Sequence, residues 1–89
     1  MDLGERIRDM VLDGFNVHIH QDPIYIDRIA VRVEKRAPDG EFYTKLRIVD
    51  QHELFEFTGG VTALFDHVLE RSRKDVSLAL AARASQGGK

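Results

Sequence analysis

Around Ala37, Pro38, Asp39 and Gly40 the chain carries a strong turn signal, and on both sides of it apolar and polar residues alternate with the period of a pleated strand. Upstream, Ile29, Val31 and Val33 take alternate positions. Downstream, Phe42, Thr44, Leu46 and Ile48 alternate with Tyr43, Lys45, Arg47 and Val49. Few local patterns constrain a fold as tightly, because a hairpin commits two strands to one register and one buried face. The expected pairing sets Val33 opposite Leu46 and Val31 opposite Ile48, with Phe42, Thr44, Leu46 and Ile48 turned inward.

The same alternation occurs earlier, where Phe15, Val17 and Ile19 interleave with Asn16, His18 and His20 until Gln21, Asp22 and Pro23 end the run. Between these strands Ile24 and Ile26 lie on even positions and Ile29, Val31 and Val33 on odd ones. A strand cannot change face without an extra residue or a break, so a bulge or bend is expected near Asp27 and Arg28. A loop from Asp50 to Glu53 leads to Leu54, Phe55, Glu56 and Phe57, read as a short fourth strand with both phenylalanines inward.

Helical spacing frames the strands. Leu3, Ile7, Met10 and Val11 form one stripe, with Asp2 as N-cap, Glu5 three residues on, and Gly14 as the stop. Past Thr58, Gly59 and Gly60, a second stripe runs through Val61, Leu64, Phe65, Val68 and Leu69. Continued to Ala84, that helix would extend about 37 Å at ~1.5 Å per residue, beyond the ~30 Å of a nine-residue strand. It therefore either breaks between Ser72 and Asp75 or projects past the sheet. The expected fold is α+β: an antiparallel four-stranded meander with an N-terminal helix and a long C-terminal helix packed on one face. A single domain covers residues 1–84, and 85–89 form a flexible tail.

The 89 residues carry 13 Lys and Arg against 15 Asp and Glu, a formal charge of −2 that gives no bulk attraction to polyanions. Any basic function must be local. With no cysteine, thiol catalysis, disulfides and zinc-cysteine sites are excluded. The first residues lack the order of a secretory signal and no apolar run reaches the ~20 residues of a membrane span, so a cytoplasmic protein is expected.

On the expected register the outward sheet face gathers His18, His20, Arg32, Tyr43, Lys45 and Arg47. Arg32 then stands opposite Arg47, or opposite Lys45 after a two-residue slip, and like charges so opposed favour an intervening anion. His18 and His20, two apart on a strand, have the spacing of a metal pair with Asp22 near, but zinc needs further ligands and no metal or cofactor is assigned. Gly59 and Gly60 read as a turn and cap. They lack the glycine spacing of dinucleotide loops and the ending of a P-loop. Asp66, His67, Glu70, Arg71 and Arg73 read as a solvated helix face with modest ion pairs.

Val76, Ser77, Leu78, Ala79, Leu80, Ala81 and Ala82 are apolar around the helix axis, which calls for burial on more than one side. Val76, Leu78, Ala79, Leu80 and Ala82 are therefore the expected contact in a homodimer. With no catalytic constellation, the leading expectation is a non-enzymatic interaction or accessory protein presenting the basic sheet face to a macromolecular partner. The alternative is a nucleic-acid-binding domain using Arg28, Arg32, Lys45 and Arg47 with Tyr43 as a stacking side chain. The helix, sheet, helix order is similar to that of double-stranded RNA-binding domains. The helix following Thr58, Gly59, Gly60, Val61 and Thr62 lacks their lysine cluster, so no family is assigned.

Overall fold

The computed structural model describes residues 2–22, 24, 25 and 27–87, the side chains of 84–87 excepted. In order the elements are α1 (Leu3–Leu12), β1 (Phe15–Gln21), β2 (Ile29–Arg36), β3 (Phe42–Val49), α2 (Gln51–Glu56) and α3 (Gly60–Gly87). The strands form one antiparallel sheet in the order β1-β2-β3. Helix α1 packs on β1 and α3, while α3 packs on β2 and β3. Both lie against the same face with α2 packed on α3, and the molecule is only 17 Å thick, one sheet plus one helical layer. The opposite sheet face is open.

Local chemistry explains most element ends. The Asp2 carboxylate accepts the Glu5 amide at 2.8 Å, capping α1 as its sequence spacing predicts. In the connection from β1 to β2, Asp22 Oδ1 accepts the amides of Ile24 and Tyr25 at 2.8 and 3.0 Å. That turn holds the Asp22 carboxyl below its ordinary pKa, chiefly through the Tyr25 amide. The expected bend near Asp27 and Arg28 is thus a complete break: β2 begins only at Ile29, after the parity change. Ile26 lies outside the described residues.

The expected fourth strand is absent among the described residues; a short helix, α2, occupies most of its place. Asp50 caps it by accepting the Glu53 amide at 3.0 Å, so residues read as a loop are the first helical turn. Leu54 and Phe57, three apart, then reach the core together, and Phe55 points away at 80% exposure. A strand would have put Phe55 and Phe57 on one side. Helical pitch separates them.

Helix α3 is continuous through Ser72–Asp75, so the expected break does not occur, and near its end Arg83 donates to Asp39 of the loop between β2 and β3 at 3.1 Å, which ties the helix to the hairpin as far as that residue. Its 28 residues span about 42 Å at ~1.5 Å each, against about 27 Å for an eight-residue strand, and the long axis of the molecule is 47 Å. Of the tail expected over 85–89, residues 85–87 continue α3 and 88–89 lie outside the described residues. The core joins Met10, Phe15, Val31, Val33, Val49, Leu64, Phe65, Val68, Leu69 and Val76. Ser72 interrupts the buried stripe of α3. It is fully buried, and its hydroxyl has no hydrogen-bond partner among the described residues. A buried hydroxyl so placed costs stability that a methyl group does not. Ser72→Ala is expected to stabilise the chain by about 1 kcal/mol and raise the midpoint by ~4–8 °C in a thermal melt. A lowered midpoint would show that the hydroxyl is satisfied.

The register of the hairpin differs from expectation by one residue. The Ala37 amide donates to the Glu41 carbonyl at 2.7 Å, closing a three-residue loop of Pro38, Asp39 and Gly40. Gly40 takes φ +93°, the left-handed conformation that ends such loops. Arg32 consequently pairs with Leu46 and Val33 with Lys45. Because side chains alternate, a one-residue change turns all of β3 over. Tyr43, Lys45, Arg47 and Val49 face the helices; Phe42, Thr44, Leu46 and Ile48 face outward.

Candidate functional site

This register divides the six residues expected to share one binding face. His18, His20 and Arg32 lie on the open face, where His18 pairs with Arg32 across the strands. Tyr43, Lys45 and Arg47 lie on the other side, toward the helices. Arg32 therefore meets neither Arg47 nor Lys45, and the single basic face expected from the sequence does not form. What the open face presents is mixed. Glu34 lies 3.7 Å from His18 and accepts from the Thr44 hydroxyl at 3.1 Å. Beside them Leu46 and Ile48 are 54% and 40% exposed. His20 Nδ1 sits 3.2 Å from the Gln21 carbonyl, and among the described residues no three His, Asp or Glu side chains are placed to hold a metal ion.

Lys45 and Arg47 enter a different constellation. Together with Leu46, Ile48 and Val49 they form one wall of a groove of about 520 Å³ along the free edge of β3. The other wall comes from α3, through Leu64, His67, Val68 and Arg71, with Glu53 and Phe57 closing the α2 end. A second depression, of about 380 Å³, continues along α3 from His67 and Arg71 to Lys74 and Asp75. His67, Arg71 and Lys74 are four and three residues apart, the spacing of one helical stripe. The floor is apolar, and the rim sets Lys45, Arg47, Arg71 and Lys74 among Glu53, Glu70 and Asp75.

Charge pairing within this groove is uneven. Arg47 Nη2 donates to Asp75 Oδ2 at 2.6 Å, which fixes the guanidinium between strand and helix, while its Nε is buried without a partner among the described residues. His67 stacks obliquely with Phe57 at 5.6 Å between centroids. Lys45, Arg71 and Lys74 have no ion pair among the described residues.

Elsewhere the expected features are consumed by the fold. Arg6 from α1 donates to Asp66 at 2.8 Å and to Glu70 at 3.3 Å, pinning α1 to α3. Its hydrogen bond holds the Asp66 carboxyl below the ordinary carboxylate range. Arg73 pairs with Asp13 at 3.0 Å, so the mixed charges of this helix serve helix docking rather than a solvated face alone. Gly59 and Gly60 have φ +100° and +87°, in keeping with a turn before α3. Of the five expected dimer contacts, Val76 is buried in its own core and Leu80 packs against it, which leaves Leu78, Ala79 and Ala82 exposed.

Sequence reasoning named Lys45 and Arg47 but assigned them to the wrong side, and it missed the contributions of His67, Arg71 and Lys74. The signal for the latter was their helical spacing; what could not be read was that β3 turns its cations toward them. Among the described residues no helix is long and apolar enough to cross a membrane. No protein-family model, curated protein or solved structure matches this chain.

Proposed function

We propose that this chain is a non-enzymatic interaction protein that holds an acidic protein partner in the groove between β3 and α3. The observation that carries this reading is that Lys45 and Arg71, without ion pairs among the described residues, flank an apolar floor of Val49, Leu64 and Val68, with the unpaired Lys74 in the adjoining depression. Cations left solvated beside apolar surface match a partner that brings carboxylates and apolar side chains together. A nucleic acid is a poorer match. Its affinity grows with the number of phosphates neutralised, whereas here Glu53, Glu70 and Asp75 stand among few cations and the chain is net negative. Tyr43 and Arg32 also lie on opposite sides of the sheet, which removes the stacking platform of that alternative.

Fluorescence anisotropy at low salt tests the reading with labelled polyglutamate and a single-stranded RNA of equal charge. Polyglutamate is expected to bind more tightly. Lys45→Glu combined with Arg71→Glu weakens that binding by at least about tenfold, while Arg32→Glu on the open face changes it less than about twofold. Tighter binding of the RNA, equal sensitivity to Arg32→Glu, or no binding of polyglutamate overturns the proposal.

A further inference from the structure

We infer that the groove's ligand is an extended segment that adds to β3 as a fourth strand, with carboxylates alternating with apolar side chains. This rests on the groove reading above and specifies its geometry. Among the described residues strand β3 pairs with β2 alone, so its other edge has no strand partner there. The groove runs along five consecutive residues of that edge, Lys45 to Val49. Neither proline nor a positive φ interrupts them. An edge of this kind is a template for main-chain hydrogen bonds with an incoming strand.

The two sides of β3 then dictate the ligand's pattern. Lys45 and Arg47 face the helices, across from His67 and Arg71, while Leu46 and Ile48 stand exposed on the open face. A strand laid beside them sends alternate side chains to these two environments. Acidic residues on the helix side meet the cations; apolar residues on the other side cover Leu46 and Ile48.

A second copy of the chain is excluded as the occupant by the same charges. Two-fold antiparallel pairing of two β3 edges about Leu46 sets Lys45 of each copy against Arg47 of the other, and opposed like charges repel. The inward cations thus discourage self-pairing and select an acidic strand, one device serving both ends.

Three capped peptides matched in length to the edge separate the possibilities. One alternates Glu and Val, one has the same composition with the glutamates and valines in blocks, and one alternates but carries N-methyl groups on the amides that would pair with β3. The alternating peptide is expected to bind at least about tenfold tighter than either of the others. Its binding also slows hydrogen exchange at the outward amides of residues 45–49. Equal affinity for all three peptides, with exchange unchanged, overturns strand addition but leaves a cationic groove that binds polyglutamate. No binding of any peptide or of polyglutamate removes both readings. Loss of alternating-peptide binding in Arg32→Glu as large as in the folded Lys45→Glu, Arg71→Glu variant places the ligand elsewhere and also overturns the inference.

Discussion

Val31→Asp is expected to abolish cooperative folding, whereas Leu46→Asp leaves a folded chain with a midpoint within about 4–8 °C of the parent. Val31 is fully buried on β2, between Ile19 of β1 and Arg47 of β3. A carboxylate there is stripped of water beneath α3, and because the facing Arg47 is already held by Asp75, the buried charge costs several kcal/mol or forces protonation. A domain of this size has about 5–15 kcal/mol in total and sits toward the low end of that range. Leu46 is 54% exposed on the open face, where the cost is limited to strand preference, about 1 kcal/mol. Circular dichroism melts at neutral pH decide the matter. If Leu46→Asp unfolds the chain, Leu46 points inward, β3 is turned over, and the groove cations lie on the other face.

Leu69→Ala is the second large effect. Leu69 has no exposed surface and sits mid-helix on the stripe that α3 presents to the sheet. Its truncation leaves a cavity in a layer that cannot collapse without moving a 28-residue helix, so the expected loss is about 2–5 kcal/mol, or ~10–30 °C. Leu78→Ala, at 64% exposure on the solvent side of the same helix, is expected to change stability by less than about 0.5 kcal/mol. Urea titrations of both variants check the contrast. Equal losses would mean that Leu78 is as well packed as Leu69.

These two experiments probe the parts of the molecule that were hardest to read from residues. The face of β3 depended on loop length: Ala37 to Gly40 announced a turn, but whether two, three or four residues lie beyond the last pair is set by how the loop closes. The apolar alternation of Phe42, Leu46 and Ile48 argued for the wrong face. Tyr43 and Val49, which flank the cations on the other set, reach the core instead. α2 was misread because Leu54 to Phe57 is too short for its period to be unambiguous, although Asp50 and Glu53 already had the spacing of a capped helix. The groove followed from neither error alone. It needed β3 turned over and α3 unbroken, so that strand cations and helix cations flank one space.

Sequence by itself determined what short-range chemistry controls. Asp2 caps α1, Gly14 ends it, the residues of β1 and β2 take the two faces in the expected order, and the stripe from Leu64 to Leu69 buries one side of α3. Each depends on hydrogen bonds or spacings within a few residues, which the residues carry wherever the chain goes. Tertiary structure alone decided which side of β3 meets the helices, whether α3 bends, and therefore which cations become neighbours. Those outcomes depend on closing a loop and on fitting a long rod to a short sheet, where a single residue of register outweighs the polarity pattern of an entire edge strand.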